Sequence, residues 1–316
     1  MKYFLIENAG YLPYYNIALE KYLFDHCRQD EILLYLWVND PCVIAGCHQN
    51  VLLEWDNNFL KKEGIYPVRR LTGGGCVYQD RGNLNYSFIS GLKHQAVEKW
   101  LNIILNAVNY FGLTASLSGR NDLTVGGRKF GGTAWLEEDD KILFHGTLMI
   151  DVDIAQMERS LTPNLLKFEG KAIASVRSRV VNLRECSPKL QSEALAAAIV
   201  SSFAAEYGRP ERLVIQQVPE LAAEAARLAA PEWIYNKNAS GNILLEYKLQ
   251  GELVQLNLTV QENTIAGVEI FTDSVDALPL AQLKERLIGA KYTESDFAAI
   301  LNEALSRGAS LFPQQS

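Results

Sequence analysis

The stretch RRLTGGGCVYQDRGNLNYSF, Arg69 to Phe88, sets two arginines before three consecutive glycines and then returns to an apolar pattern. With the preceding YPV it reads as strand, glycine-rich turn and strand, and LNYSFIS (84–90) as a further strand. No GK[ST] follows Gly75, so this is not the phosphate loop of nucleotide hydrolases. The glycine spacing also departs from the dinucleotide fingerprint, and no helix pattern follows at once. What bare glycines allow is direct approach of a ligand to backbone N–H groups, which suits an anion. Neighbours on a strand face opposite sides, so one of Arg69 and Arg70 is expected to face the loop. The other is expected in a surface or structural ion pair. A plain tight turn is the competing reading.

Working outward, PYYNIALEKYLFDHC (13–27) has apolar residues at helical spacing. ILLYLWV (32–38) and PCVIAG (41–46) read as strands joined by an Asn-Asp turn. AVEKWLNIILNAVNYFG (96–112) is an apolar helix that Gly112 can close. Residues 113–153 alternate short β-prone runs with glycine and acidic turns, a meander of antiparallel strands. SEALAAAIVSSFAAEYG (192–208) is a helix with Ser192 as N-cap and Gly208 past its end, and ELAAEAARLAA (220–230) a short helix broken by Pro231. Residues 243–273 form three strands with tight turns, followed by helices over 280–289 and 293–308. The expected organisation is a catalytic domain over 1–238 and a small α+β unit over 239–316.

Composition narrows the class. At 316 residues with 48% hydrophobic and 21% charged, the chain can build a sizeable core in a main domain plus a smaller one. No apolar run approaches the roughly 20 residues of a membrane helix, and MKYFLIENAG lacks the features of a leader, so the expected place is the cytoplasm. Cys27, Cys42, Cys47, Cys76 and Cys186 show no CxxC pairing, against a disulfide framework or structural zinc. Four histidines make a multi-histidine metal centre unlikely on numbers alone. A net charge of −7 argues against general nucleic-acid binding, yet cations gather near the glycines, which points to a local anion site.

Three further segments bear chemistry. In SGRNDLTVGGRKFGGTAW (118–135), Lys129 sits between two glycine pairs, either an exposed hairpin lysine or a mobile point charge for a ligand. Asn121 and Asp122 form a plain turn or help hold a hydrated Mg²⁺ beside a triphosphate. In HGTLMIDVD (145–153), His145 is either structural or a hydrogen-bonding partner of substrate. In KAIASVRSRVVNL (171–183), Lys171, Arg177 and Arg179 lie in a solvated loop or in one that closes over a nucleotide.

Together and in this order, these segments closely resemble the lipoate–protein ligase family. Its RRxSGGGAVYHDxGNxN stands here as RRLTGGGCVYQDRGNLN, its GRNDL with RKxxG as GRNDLTVGGRKFGG, its HGTLL as HGTLM, and its KxIxSVRSRVxNL as KAIASVRSRVVNL. GCHQN (46–50) is similar to its GxxQN turn. The match covers about residues 1–185 strongly and extends weakly through PEWIYNK into the C-terminal unit.

The resemblance implies an α+β fold shared with biotin–protein ligases and related to class II aminoacyl-tRNA synthetases, a mixed, mostly antiparallel sheet with packed helices, plus a C-terminal accessory domain. It implies activation of free lipoate by ATP, with Mg²⁺, to lipoyl-AMP and pyrophosphate. The lipoyl group then passes to a lysine of apo lipoyl domains of 2-oxoacid dehydrogenase complexes or of glycine-cleavage H protein. By resemblance Lys129 is the catalytic residue. Arg70, Gly73, Gly74, Gly75, Cys76, Val77 and Tyr78 match the loop that contacts ATP and the lipoyl group. Asn121 and Asp122 would place Mg²⁺ and phosphates, and His145 would contact substrate. Ser175, Val176, Arg177, Arg179 and Val180 match the adenylate loop. An apolar slot for the dithiolane is expected between strands around Leu71 and His145. A monomer is expected, without nucleic-acid or membrane partners.

Departures from the family pattern include Thr72 for Ser, Gln79 for His and Cys76 for Ala. Cys76 opens a second reading, an ATP-independent octanoyl or lipoyl transferase using a cysteine thioester. A non-catalytic lipoate or lipoyl-AMP binder is a third, and a ligase for octanoate or another medium-chain acid a fourth.

Overall fold

The computed structural model describes residues 1–7, 10–94, 96–119, 121–161, 179–215, 218–235, 243–249, 252–261, 264–274, 280–292 and 300. The strands are β1 (Lys2–Glu7), β2 (Glu31–Trp37), β3 (Cys42–Ala45), β4 (Tyr66–Arg69), β5 (Val77–Gln79), β6 (Asn83–Gly91) and β7 (Ala115–Ser118). They continue with β8 (Asp122–Val125), β9 (Arg128–Glu138), β10 (Lys141–Met149), β11 (Glu211–Arg212), β12 (Ile243–Leu249), β13 (Glu252–Gln261) and β14 (Thr264–Thr272). The helices are α1 (Pro13–His26), α2 (Asn57–Glu63), α3 (Val97–Asn109), α4 (Ile154–Ser160), α5 (Leu183–Cys186), α6 (Ser192–Tyr207), α7 (Pro219–Ala229), α8 (Pro231–Tyr235) and α9 (Leu280–Leu287).

An eight-stranded mixed sheet, in the order β11-β1-β2-β6-β10-β9-β8-β7, forms the centre. All of β6, and β2 from Ile32 onward, is buried, so both faces of the sheet are covered. Side-chain alternation decides what goes where. Leu34, Leu36, Tyr86, Phe88 and Phe144 face one side, with Trp100 and Ile104 of α3 and Phe203 of α6. Leu33, Tyr35, Trp37, Ile89 and Leu143 face the other, with Ile17 and Leu23 of α1. The buried residues of α3, at 100, 103, 104, 107 and 108, follow the helical period and make one apolar stripe.

The second face also carries a three-stranded sheet in the order β4-β3-β5. Here the sequence reading needs refinement. The Asn-Asp turn at 39–40 does not close a hairpin but leads the chain from the large sheet into the small one. The strands flanking the glycines are likewise not neighbours, because β3 lies between them, parallel to β4 and antiparallel to β5. The loop 70–76 therefore arches over the end of β3, where Ala45 pairs with Arg69 and Ile44 with Val77.

Ser192 is the first residue of α6 and does not cap it: the capping position is Gln191, without a side-chain bond. Helix α2 was not marked by apolar spacing. It is held by Asp56, whose carboxylate accepts from the Asn58 and Phe59 N–H groups, and it ends at Gly64 in the left-handed region (φ 67°). Strands β12, β13 and β14 form an antiparallel sheet packed with Leu283 and Leu287 of α9. The expected domain boundary at 238/239 and the helix expected over 293–308 lie outside the described residues, apart from Ile300. No described helix is long and apolar enough to cross a membrane.

Candidate active site

Two cross-strand rows of the large sheet build one wall of a cavity. Trp37, Asn85, Thr147 and Gly132 stand opposite one another across β2, β6, β10 and β9, and Tyr35, Ser87, His145 and Ala134 form the next row. Facing them are Ile44, Val77 and Gln79 from the small sheet, with Ile17 and Glu20 from α1. The cavity volume is about 130 Å³. Ile17, Glu20 and Trp37 are buried and close the floor, while Lys129 and Asn121 are partly exposed at the mouth.

A bulge aims Lys129 into this space. The register runs Asp122 to Gly132 and Leu123 to Gly131, then jumps to Thr124 opposite Lys129, leaving Phe130 as the extra residue. Strict alternation would put Lys129 on the face of Trp135, which packs against the helix-side core. The extra residue reverses the phase: Phe130 enters the helix-side core, and Lys129 lines the cavity with Gly132 and Ala134. A Cβ on Gly132 would lie 3.4 Å from Lys129 Nζ, so the bare glycine makes room for the lysine. Lys129 Nζ is 2.6 Å from Asp122 Oδ1.

The two arginines hold the backbone together. Arg70 lines the cavity and donates from Nε to Thr72 Oγ1 (3.0 Å) and the Gly73 carbonyl (3.2 Å), and from Nη1 to the Ile44 carbonyl (3.0 Å). Its Nη2 donates to the carbonyls of Gly73 (2.6 Å) and Gly75 (3.0 Å). Burial lowers its pKa from the ordinary arginine value. Arg69, 1% exposed, faces the other way. It corrects the expected ion pair, because its donors go to the carbonyls of Ile234, Gly46, Cys47 and Gln49, with no carboxylate in salt-bridge range among the described residues. Burial pushes its pKa down to about 10. One arginine thus fixes the glycine loop from inside, and the other fixes the GCHQN turn beneath it.

Gly73, Gly74 and Gly75 stand as expected around Arg70. Gly74 has φ 94°, and its N–H donates to the Ser274 carbonyl just past β14 (2.9 Å), while the Thr272 N–H donates to the His48 carbonyl (3.0 Å). Cys76 and Val77 line the cavity. Tyr78 lies on the opposite face of β5, buried with Val43, Trp55 and Met149, so its side chain does not join the wall. Asn121 lines the mouth, with its Nδ2 donating to the Thr133 carbonyl (3.3 Å). Val180 bridges to Lys129, and the Val181 N–H donates to the Lys129 carbonyl (2.8 Å), which brings the end of the 171–183 segment, with exposed Arg179, to the mouth. Ser175, Val176, Arg177 and Lys171 lie outside the described residues, as does Arg120.

His145 is joined to a polar chain. Its Nε2 is 2.9 Å from Thr72 Oγ1 and its Nδ1 is 2.8 Å from Glu20 Oε1. Ser87 donates to the same Glu20 oxygen (2.5 Å), and the Trp37 indole donates to Ser87 (3.1 Å). Of the two residues around which an apolar slot is expected, His145 lines the cavity and Leu71 does not, and the lining includes Glu20 and Trp37 of this polar chain. Ile17, Trp37, Ile44 and Val77 supply the apolar part of the slot. A second chain of amides supports the far side. Asn16 Nδ2 donates to the Val38 carbonyl (2.9 Å) and to Asn39 Oδ1 (2.9 Å), Asn39 Nδ2 to Gln79 Oε1 (2.8 Å), Asn85 Nδ2 to the same oxygen (3.0 Å), and Asn83 Nδ2 to Asn85 Oδ1 (3.1 Å).

Sequence reasoning missed Glu20, Trp37 and Asn85. The available signal was in α1, where Asn16 and Glu20 are polar residues four apart that flank the apolar Ile17, Ala18 and Leu19. Among the described residues no three His, Cys, Asp or Glu side chains cluster as metal ligands. Asp122 with the amide oxygen of Asn121 would suit Mg²⁺ held mainly by phosphates and water. The whole arrangement can take a chain-like acid, tail in the slot, with its carboxylate among the glycine-loop backbone, Arg70 and Lys129.

Residues 12–204 match the family described as lipoyl protein ligase A/B catalytic domain, and residues 242–307 the bacterial lipoate protein ligase C-terminus. The chain is similar to LipL1 of P. falciparum, solved in complex with lipoate, at 26% identity and a TM-score of 0.78, covering 96% of this chain and 94% of that one. It shares its fold with a lipoate-protein ligase A bound with ATP (22% identity, TM-score 0.61, 74% of this chain and 98% of that one). The same holds for a bipartite lipoate protein ligase of Thermoplasma acidophilum, studied with its E2 lipoyl domain (23%, TM-score 0.62, 77% and 98%). With the catalytic-domain match spanning more than half of its length, the chain belongs to the lipoyl protein ligase A/B family.

Proposed function

We propose that the protein is an ATP-dependent lipoate–protein ligase with a catalytic unit over 1–238 and an accessory unit over 239–316. The observation that carries this reading is a slot closed by Glu20 and Trp37 at one end and opening on Lys129 and the glycine loop at the other. The lipoate- and ATP-bound relatives support both substrates.

A carboxylate oxygen of lipoate attacks the α-phosphorus of ATP, the bond to pyrophosphate breaks, and lipoyl-AMP forms. Two anions must meet, and Lys129 offsets their repulsion as charge develops on the phosphoryl oxygens. The glycine-loop backbone, fixed by Arg70, and the segment ending at Arg179 and Val180 orient the nucleotide. Asp122 and Asn121 are the residues that would face a Mg²⁺ bound with the nucleotide, which would supply neutralisation of phosphate charge. A neutral acceptor lysine then attacks the lipoyl carbonyl, AMP leaves, and the amine loses its proton. The acceptors are apo lipoyl domains of 2-oxoacid dehydrogenase complexes or glycine-cleavage H protein, and the reaction takes place in the cytoplasm on a monomer.

The test is intact-mass analysis of an apo lipoyl domain incubated with the protein, lipoate and Mg²⁺, with and without ATP. A lipoyl mass gain only with ATP is expected. Gain without ATP from an acylated donor protein would replace this reading by the Cys76 transferase.

A further inference from the structure

Glu20 lies on α1 at the floor of the slot, and the buried Arg70 lines it from beneath the glycine loop. His145 and Thr72 connect them by hydrogen bonds of 2.8, 2.9 and 3.0 Å. Arg70 Nε can only donate, so Thr72 Oγ1 accepts from it and keeps its proton and a second lone pair for His145 Nε2. His145 Nδ1 faces the Glu20 carboxylate. From the other side the Trp37 indole can only donate, so Ser87 accepts it and donates to Glu20. Both arms therefore end on one carboxylate, which is 1% exposed.

We infer that this chain couples acid binding to nucleotide binding, with Glu20 and Thr72 as positioning residues; the inference rests on the adenylating reading above. A tail that fills the slot removes water from the His145–Glu20 pair, and hydrogen bonds between charged or polar groups strengthen in a drier site. A fixed His145 fixes the Thr72 hydroxyl, and Thr72 sets Arg70 Nε. Arg70 in turn sets the carbonyls of Gly73 and Gly75, and through the Gly75 carbonyl the direction of the Cys76 N–H, the Gly74 N–H being held by the Ser274 carbonyl. A phosphate seated on the loop favours the same arrangement from the opposite end. Coupling of this kind is reciprocal: each ligand raises the affinity for the other by one factor.

The factor is measured by calorimetry with α,β-methylene-ATP and Mg²⁺, with and without saturating lipoate. The methylene bridge replaces the bond that adenylation breaks, so no turnover occurs. In the unaltered protein, lipoate is expected to tighten analogue binding about tenfold, and the analogue to tighten lipoate equally. Thr72→Val keeps the shape and removes the hydroxyl, and the factor is expected to fall toward one. Thr72→Ser is expected to restore it, which separates the hydrogen bond from simple packing. Glu20→Met removes the terminal acceptor and should also collapse the factor. Binding of both ligands without coupling in the unaltered protein, or an undiminished factor in Thr72→Val, overturns the inference and leaves the ligase reading intact. No analogue binding, with or without lipoate, overturns both.

Discussion

Lys129 Nζ rests 2.6 Å from Asp122 Oδ1, a pair brought together by the bulge at Phe130. Both side chains are about two-fifths exposed, at 39% and 42%, so the pair is weakly held and the ammonium is free to transfer to a phosphate. Lys129→Ala is expected to lower the rate of lipoyl-AMP formation by about 10²- to 10³-fold. Arg128→Ala, next in sequence but paired with Glu185 at 3.9 Å, should stay near the unaltered rate. Pyrophosphate release in single-turnover experiments compares them, and equal losses would remove Lys129 from its role.

Arg69 has a structural task, and its loss should appear as instability. Arg69→Met strands the carbonyls of Ile234 and Gln49 and takes a donor from those of Gly46 and Cys47, the Gly46 carbonyl keeping the Gln49 N–H. Two or more buried acceptors left unpaired predict a loss of about 3 kcal/mol or more, read as a lower urea midpoint at unchanged slope.

Gly46 lies directly beneath the glycine loop, where a Cβ would collide with the Gly74 carbonyl. Gly46→Ala is expected to cost about 1–3 kcal/mol in stability and to weaken nucleotide binding, because relief of the clash moves the loop. Calorimetry and thermal unfolding on one sample test both halves; full nucleotide affinity would show that the loop does not need this support.

The cysteines should divide by burial. Burial pushes the Cys27 thiol up to about 12 and the Cys42 thiol well above its ordinary value. Iodoacetamide at neutral pH is expected to label the partly exposed Cys47, Cys76 and Cys186 and spare those two. Lipoate with ATP should protect Cys76, which lines the slot. Cys76→Ala should keep most of the ATP-dependent transfer; its complete loss would favour the thioester route. Peptide mapping by mass spectrometry reads the labelling.

Tyr14 donates to the Pro67 carbonyl at 2.9 Å, and burial, then nearby Tyr235, raises its pKa to about 12. Because the folded value lies above the unfolded 10.0, this stabilisation is complete below pH 10 and is lost as pH climbs towards 12. Tyr14→Phe should lose less stability between pH 9 and 11, about the window of the shift, than the unaltered chain does in urea titrations. Equal slopes would refute the assignment.

Much of this was legible in the sequence because it is local. The stripe of α3, the antiparallel meander and the glycine arch follow from period and composition. Lys129 was found through its flanking glycines, although what turns it into the slot is an extra residue in a pairing register, which no single strand reveals. Glu20 was marked only by its spacing from Asn16, and its role stayed hidden for a similar reason. A carboxylate on α1 gains its meaning only when His145, 125 positions away, is folded against it. The placement of β3 between β4 and β5 likewise depends on long-range pairing that the turn residues do not encode.

The amides of Asn16, Asn39, Gln79, Asn85 and Asn83 form a one-way file, since the Val38 carbonyl admits only the Asn16 nitrogen and each next group must follow suit. Gln79 ends up with its oxygen receiving two donors and its nitrogen left for the slot. A histidine at that position, as in the motif this chain resembles, has at most one ring nitrogen free to accept and would abandon either Asn39 or Asn85. Gln79 is thus the common acceptor that ties Asn39, in the turn after β2, to Asn85 in the middle of the large sheet, so one amide oxygen works as a rivet between the two sheets.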